Sequence, residues 1–144
     1  MATPIQVVFD CSDPDRLAKF WAAALHYKEQ DPPPGFKSWE EFLRTRNIPE
    51  EEWNDASAIV DPEGRGPRIY FQRLDTPKPL KNRLHLDLNA SGGPRVPVEQ
   101  RRAQIGEEVQ RLIGIGASRQ RVEDSAEGYW VVLLDPEGNE FCVQ

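Results

Sequence analysis

The chain has 144 residues, 38% hydrophobic and 29% charged, enough for one domain with a real core, and no apolar run approaches the ~20 residues of a membrane span. Its formal charge of −6 argues against nucleic acid as a partner, because the nearest basic cluster, Arg95, Arg101 and Arg102, is interleaved with Glu99, Glu107 and Glu108. Cys11 and Cys142 lie in apolar, strand-like runs and are expected to be reduced, buried thiols of a cytoplasmic protein; a disulfide would require their strands to be neighbours.

Ile5, Val7, Phe9 and Cys11 alternate with Gln6, Val8 and Asp10, the period of a strand with one polar face. A helix start follows: Asp13 suits the cap, Pro14 the first helical position and Asp15 the positive end of the dipole. Leu17, Phe20, Trp21, Ala24 and Leu25 then make one apolar stripe that must pack on a sheet. Residues 31–54 read as an insertion. It opens on Asp31-Pro32-Pro33-Pro34-Gly35, continues with a capping box of Ser38 and Glu41, and carries a second short turn from Pro49 to Trp53. Trp39 and Trp53 suggest either a flap over something apolar or glue between the insertion and the body. Ala56 to Val60 and Arg68 to Leu74 are predicted strands, joined by a turn beginning Asp61-Pro62-Glu63-Gly64 in which Pro presets φ and Gly accepts a positive one. Asp75 to Pro79 is a semi-rigid connector.

From Arg83 the order repeats. Leu84, Leu86 and Leu88 alternate with Arg83, His85, Asp87 and Asn89; a helix from about Pro97 places Ile105, Val109, Leu112 and Ile113 on one face, and Gly114 and Gly116 end it. Ser118 to Glu123, Tyr129 to Leu134 and Glu140 to Gln144 are predicted strands, the last two joined by Asp135-Pro136-Glu137-Gly138, the same tetrapeptide in the same place. These elements predict an α+β chain, a single domain over 1–144. It consists of two tandem βαβββ modules, 1–76 with the insertion 31–54 and 82–144, whose curved sheets carry a helix on the convex side and surround a central cup.

This order, with Asp10-Cys11, Phe20-Trp21-Ala22-Ala23-Ala24-Leu25, Asn82-Arg83-Leu84-His85-Leu86-Asp87-Leu88 and the terminal Asp-Pro-Glu-Gly-Asn-Glu-Phe-Cys, resembles the vicinal oxygen chelate superfamily. Within it the chain looks like the glyoxalase-like, glyoxalase/bleomycin resistance group, which implies the glyoxalase/bleomycin resistance/dioxygenase fold and a homodimer. The resemblance also implies a divalent metal held by His or Glu from the first and last strands of each module. Those places fall here on Gln6, on Tyr70 or Gln72, on His85 and on Cys142. Glutamine offers only a neutral carbonyl oxygen, and one His with one Cys falls short of the three protein ligands of a catalytic zinc. No metal or other cofactor is therefore expected, a divalent ion such as Zn, Ni, Fe or Mn being the disfavoured alternative. The family's usual Gly after the first helix is replaced by His26, which is expected to adopt the left-handed conformation.

Two functions follow from the resemblance. The first is a metal-independent binding protein that encloses a small organic molecule in the cup between its modules, using Gln6, Tyr70, Gln72, Arg83, Trp130, Glu140 and Cys142. The second is a metal-dependent lyase, isomerase or dioxygenase, for which His85 and Asp87 are the candidate catalytic acid and base. Asp10, Asp87 and Glu140 beside Tyr70 and Trp130 favour a flat or cationic ligand, while Arg68 and Arg83 could reverse that sign. No nucleophile triad, phosphate-binding glycine loop or dinucleotide fingerprint is present.

Overall fold

Helix α1 (Pro14–Leu25) begins where proline and aspartate dictate, directly after strand β1 (Val7–Cys11), in the computed structural model, which describes residues 2, 5–78, 81–82, 84–93 and 95–144. Asp13 caps α1 by accepting from the Arg16 N–H at 3.2 Å. The helix ends at His26, whose φ of 58° and ψ of 33° are left-handed, as expected of a residue standing in a glycine's place. A two-residue strand, β2 (Lys28–Glu29), then leads into the insertion with helix α2 (Trp39–Thr45) and a 3-10 turn at Glu50–Glu52. Strands β3 (Ala56–Val60) and β4 (Ile69–Arg73) complete a four-stranded sheet of order β1-β4-β3-β2, in which β1 and β4 are parallel and the other pairs antiparallel.

One face of this sheet carries Phe9, Ile59, Ile69 and Phe71 against Leu17, Phe20 and Trp21 of α1. Phe9 stacks between them, 5.2 Å from the Trp21 ring and 5.4 Å from Phe71. Each such side chain contributes roughly 1.5 to 3 kcal/mol on burial, so this layer stabilises the unit.

Residues of the second half form β5 (Leu86–Leu88), α3 (Val98–Gly114), β6 (Ser118–Ser125), β7 (Gly128–Leu134) and β8 (Glu140–Val143). Their sheet has the order β5-β8-β7-β6, again with one parallel pair, β5 with β8. Ile105, Val109 and Leu112 of α3 are buried with Val131, Leu133, Phe141 and Val143. The chain thus forms two compact units, Met1–Pro77 and Lys78–Gln144, with one strand order. The twin tetrapeptides occupy the same connection in each, between the third and fourth strands. Asp61 accepts from the N–H groups of Glu63, Arg65 and Gly66, and Asp135 from those of Glu137 and Asn139. Both terminal glycines have the positive φ such a turn requires, 70° at Gly64 and 82° at Gly138.

Three expectations need correction. Strand β5 spans only three residues, and Leu84, 87% exposed, does not extend its apolar row. Ile113 lies outside the buried stripe of α3, because 105, 109 and 112 already define the helix face and the next position rotates off it. No strand is expected at Lys28–Glu29, because two charged residues carry no periodicity, yet β2 forms there and pairs with β3.

Candidate functional site

Side chains alternate across a strand, so the face opposite α3 is set by parity. On β8 it takes Glu140, Cys142 and Gln144; on β7, Trp130 and Val132; on β5, Asp87, with His85 just before it. The register aligns Asp87 with Cys142, Cys142 with Val132 and Val132 with Arg121, making one row across four strands. These residues and Lys81 line an open pocket of about 350 Å³.

The chemistry concentrates at one end of that row. His85 Nε2 lies 3.4 Å from Asp87 Oδ1, and the ligating atoms of His85, Asp87 and Cys142 all fall within 4.8 Å of one another. The Cys142 thiol is pushed up in pKa, chiefly by burial, then by the neighbouring Asp87 charge and a hydrogen bond to that carboxylate. Lys81 Nζ donates to Glu140 Oε2 at 2.9 Å, and this hydrogen bond holds the Glu140 carboxyl below its usual range. Arg121 pairs with Glu123 at 2.6 Å. The segment before β5 is tied to the turn ahead of β8: Asn82 accepts from the Glu140 N–H and donates to Asn139, whose amide donates to the buried Asp135.

Of the residues expected at a site, His85, Asp87, Trp130, Glu140 and Cys142 thus meet on one face of the second sheet. Gln6, Tyr70 and Gln72 lie on the first sheet, on the face away from α1; Arg83 lies outside the described residues. By register, Val8 with Tyr70 in the first unit corresponds to Asp87 with Cys142 in the second, and Gln6 to His85. Sequence reasoning missed Lys81, Arg121, Val132 and Gln144, although the parity of β6, β7 and β8 pointed to the last three. Trp53 braces the insertion itself, its indole donating to the Ile48 carbonyl, whereas Trp39 packs edge-on against Phe42 and ties the insertion to the segment before it by donating to the Gln30 carbonyl.

His85, Asp87 and Cys142 offer an imidazole, a carboxylate and a sulfur, three ligand types that zinc accepts, with ligating atoms all within 4.8 Å of one another, so that the side chains would have to draw together around an ion. The donor set therefore fits a borderline divalent ion, provided the thiol gives up a proton that its burial helps to hold.

A search of the curated proteins finds no match to this chain. Among solved structures, a glyoxalase/bleomycin resistance protein/dioxygenase family enzyme from Burkholderia phytofirmans is similar at 16% identity and TM-score 0.59, covering 96% of this chain and 94% of its own. The fosfomycin resistance protein FosX from Mesorhizobium loti aligns at 8% identity and TM-score 0.62, over 100% and 91% of the two chains. FosX from Listeria monocytogenes, complexed with Mn(II) and a dihydroxypropylphosphonic acid, aligns at 11% identity and TM-score 0.60, over 100% and 90%. Such identities speak for the fold alone. The family model for the glyoxalase-like domain matches residues 6–144. Repeated βαβββ order, twin turns, neighbours and family model agree, and the chain belongs to the glyoxalase-like domain family of the vicinal oxygen chelate superfamily.

Proposed function

We propose that this chain binds a small organic molecule, without a metal, in the pocket on the second sheet, and that it does so as a homodimer. The observation that carries the reading is the pocket's composition: Trp130 and Val132 beside a rim of His85, Asp87, Lys81, Glu140 and Arg121, in a volume suited to a small ligand. Lys81 is engaged by Glu140 and Arg121 by Glu123, whereas Asp87 faces no Lys or Arg within 4.0 Å among the described residues. Asp87, whose neighbours are the His85 imidazole and the Cys142 thiol, is therefore the carboxylate without a permanent cation beside it, and the fitting partner is a flat molecule with a cationic or donor group. Its ring would lie near Trp130, where a cation gains about 0.5 to 2 kcal/mol. Titration of the purified protein with aromatic amines and aromatic acids, followed by tryptophan fluorescence and thermal shift, tests this. Tighter binding of the amines, weakened in Asp87→Asn, supports it; preference for the acids overturns it.

A second reading, a metal-dependent lyase, isomerase or dioxygenase, is favoured by the convergence of His85, Asp87 and Cys142. A bound divalent ion would polarise a substrate oxygen there, and any of the three residues left unligated would serve as acid or base. Elemental analysis decides between the two: one equivalent of metal, lost in His85→Ala, would replace the first reading with the second.

A further inference from the structure

The two sheets treat their outer edges differently. In the first sheet the strand farthest from β1 is β2, two residues long and too short to offer a ladder to another chain. Its counterpart in the second sheet is β6, at eight residues the longest strand among the described residues, paired with β7 on one side and with no strand on the other. Seven of its eight positions are exposed, so no other part of the chain covers this edge.

The charges of β6 are sorted along its length: Arg119 and Arg121 precede Val122, and Glu123 and Asp124 follow it. Two copies of one strand pair antiparallel about a two-fold axis along the sheet normal. Facing residues share a face of the sheet, so the axis must pass through a residue that meets its own copy. Axes at Arg121, Glu123 or Asp124 set like charges face to face, and an axis at Gln120 sets Arg119 against the partner's Arg121. An axis at Val122 instead joins the strand's one apolar side chain, 44% exposed, to its own copy and places each Arg121 opposite the partner's Glu123. Within the chain Arg121 already bonds Glu123 at 2.6 Å, so the second copy extends that pair into a cluster of four charges of alternating sign. Helix α3 rests on β7 and β8, which would set the helices of two copies about four strand spacings, or roughly 19 Å, apart. That is clear of the about 8 to 10 Å at which helices touch. We infer that β6 is the surface through which two copies of this chain join, fusing two four-stranded sheets into one, with Val122 on the axis and an Arg121–Glu123 pair on either side. Because Arg121 lines the pocket, the partner's Glu123 then reaches the rim of that pocket and adds a carboxylate to it. The inference builds on the homodimer proposed above and names the surface that forms it.

The test uses the full-length chain. Val122→Cys is expected to give a disulfide-linked dimer on mild oxidation, since a residue on the axis meets its copy within the ~7 Å that a disulfide tolerates. Gln120→Cys, two positions off the axis and about 13 Å from its copy, should give none. The native Cys11 and Cys142 are buried and do not confuse the reading. Arg121→Glu and Glu123→Arg each set like charges opposite one another and should weaken dimerisation at least about tenfold in analytical ultracentrifugation. An equal mixture of the two should restore the dimer, because each altered strand then meets its complement, a rescue that misfolding of either variant could not produce. A dimeric parent that neither cross-links at Val122→Cys nor responds to either charge reversal overturns this inference and leaves the homodimer to another surface. A parent that stays monomeric at high micromolar concentration, even if an unrelated peptide adds to β6, overturns both.

Discussion

Cys142 and Glu140 share one strand face, and their environments move their protons in opposite directions. Burial, then Asp87, raises the Cys142 thiol, so the folded protein keeps this proton where the unfolded chain has lost it. That contribution is full below the ordinary thiol range and disappears as pH rises through the folded value. Cys142→Ala is expected to flatten the alkaline limb of a stability-versus-pH curve. Labelling by iodoacetamide at neutral pH should be slow in the native protein and faster in Asp87→Ala, which removes both the neighbouring charge and the hydrogen-bond acceptor; equal rates would show that burial alone controls the thiol. Glu140 has the reverse sign. The Lys81 hydrogen bond lowers its carboxyl, giving stability that is present above the ordinary glutamate range and lost as pH falls through the lower folded value. The Lys81→Met protein should therefore lose less stability on acidification than the parent, as read from urea midpoints across the acid range.

At the level of elements, the start of α1 is secured by a residue far along the chain. Asn54, at the end of the insertion, accepts from the Asp15 N–H at 2.8 Å and donates to Asp13 at 2.8 Å, tying the insertion to the helix cap. Asn54→Ala should cost about 1 kcal/mol, the scale of a lost cap, and lower Tm by a few degrees. The other end of α1 predicts a gain: His26→Gly relieves a left-handed side-chain residue and is expected to raise Tm, since the backbone there already requires positive φ. The strands that could be read from sequence, β1, β3, β4, β6, β7 and β8, owe this to their extended runs and the turns that bound them, and α1 to its cap and stripe. The meeting of His85, Asp87 and Cys142 was not legible as a cluster, because it depends on the parallel register of β5 against β8, whose residues lie far apart in the chain. Asn54 was opaque for the same reason: a side chain that caps at long range leaves no local pattern.

Over the whole molecule, the two sheets leave four strands with a single neighbour in their own sheet, β1 and β2 in the first and β5 and β6 in the second. Such edges tend to be covered or paired, and the homodimer proposed above is one way to do so. Light scattering is expected to give twice the 16.4 kDa chain mass, and a monomer at high micromolar concentration would count against the dimer. Each unit also buries its own apolar layer, Trp21 and Phe71 in one, Leu112 and Phe141 in the other. Every side chain lining the pocket falls between Lys81 and Gln144. The lining of the pocket therefore lies wholly within one compact unit. An exchange of this unit at the connector between Pro77 and Lys78 would carry the whole pocket lining with it and leave the first unit's apolar layer intact.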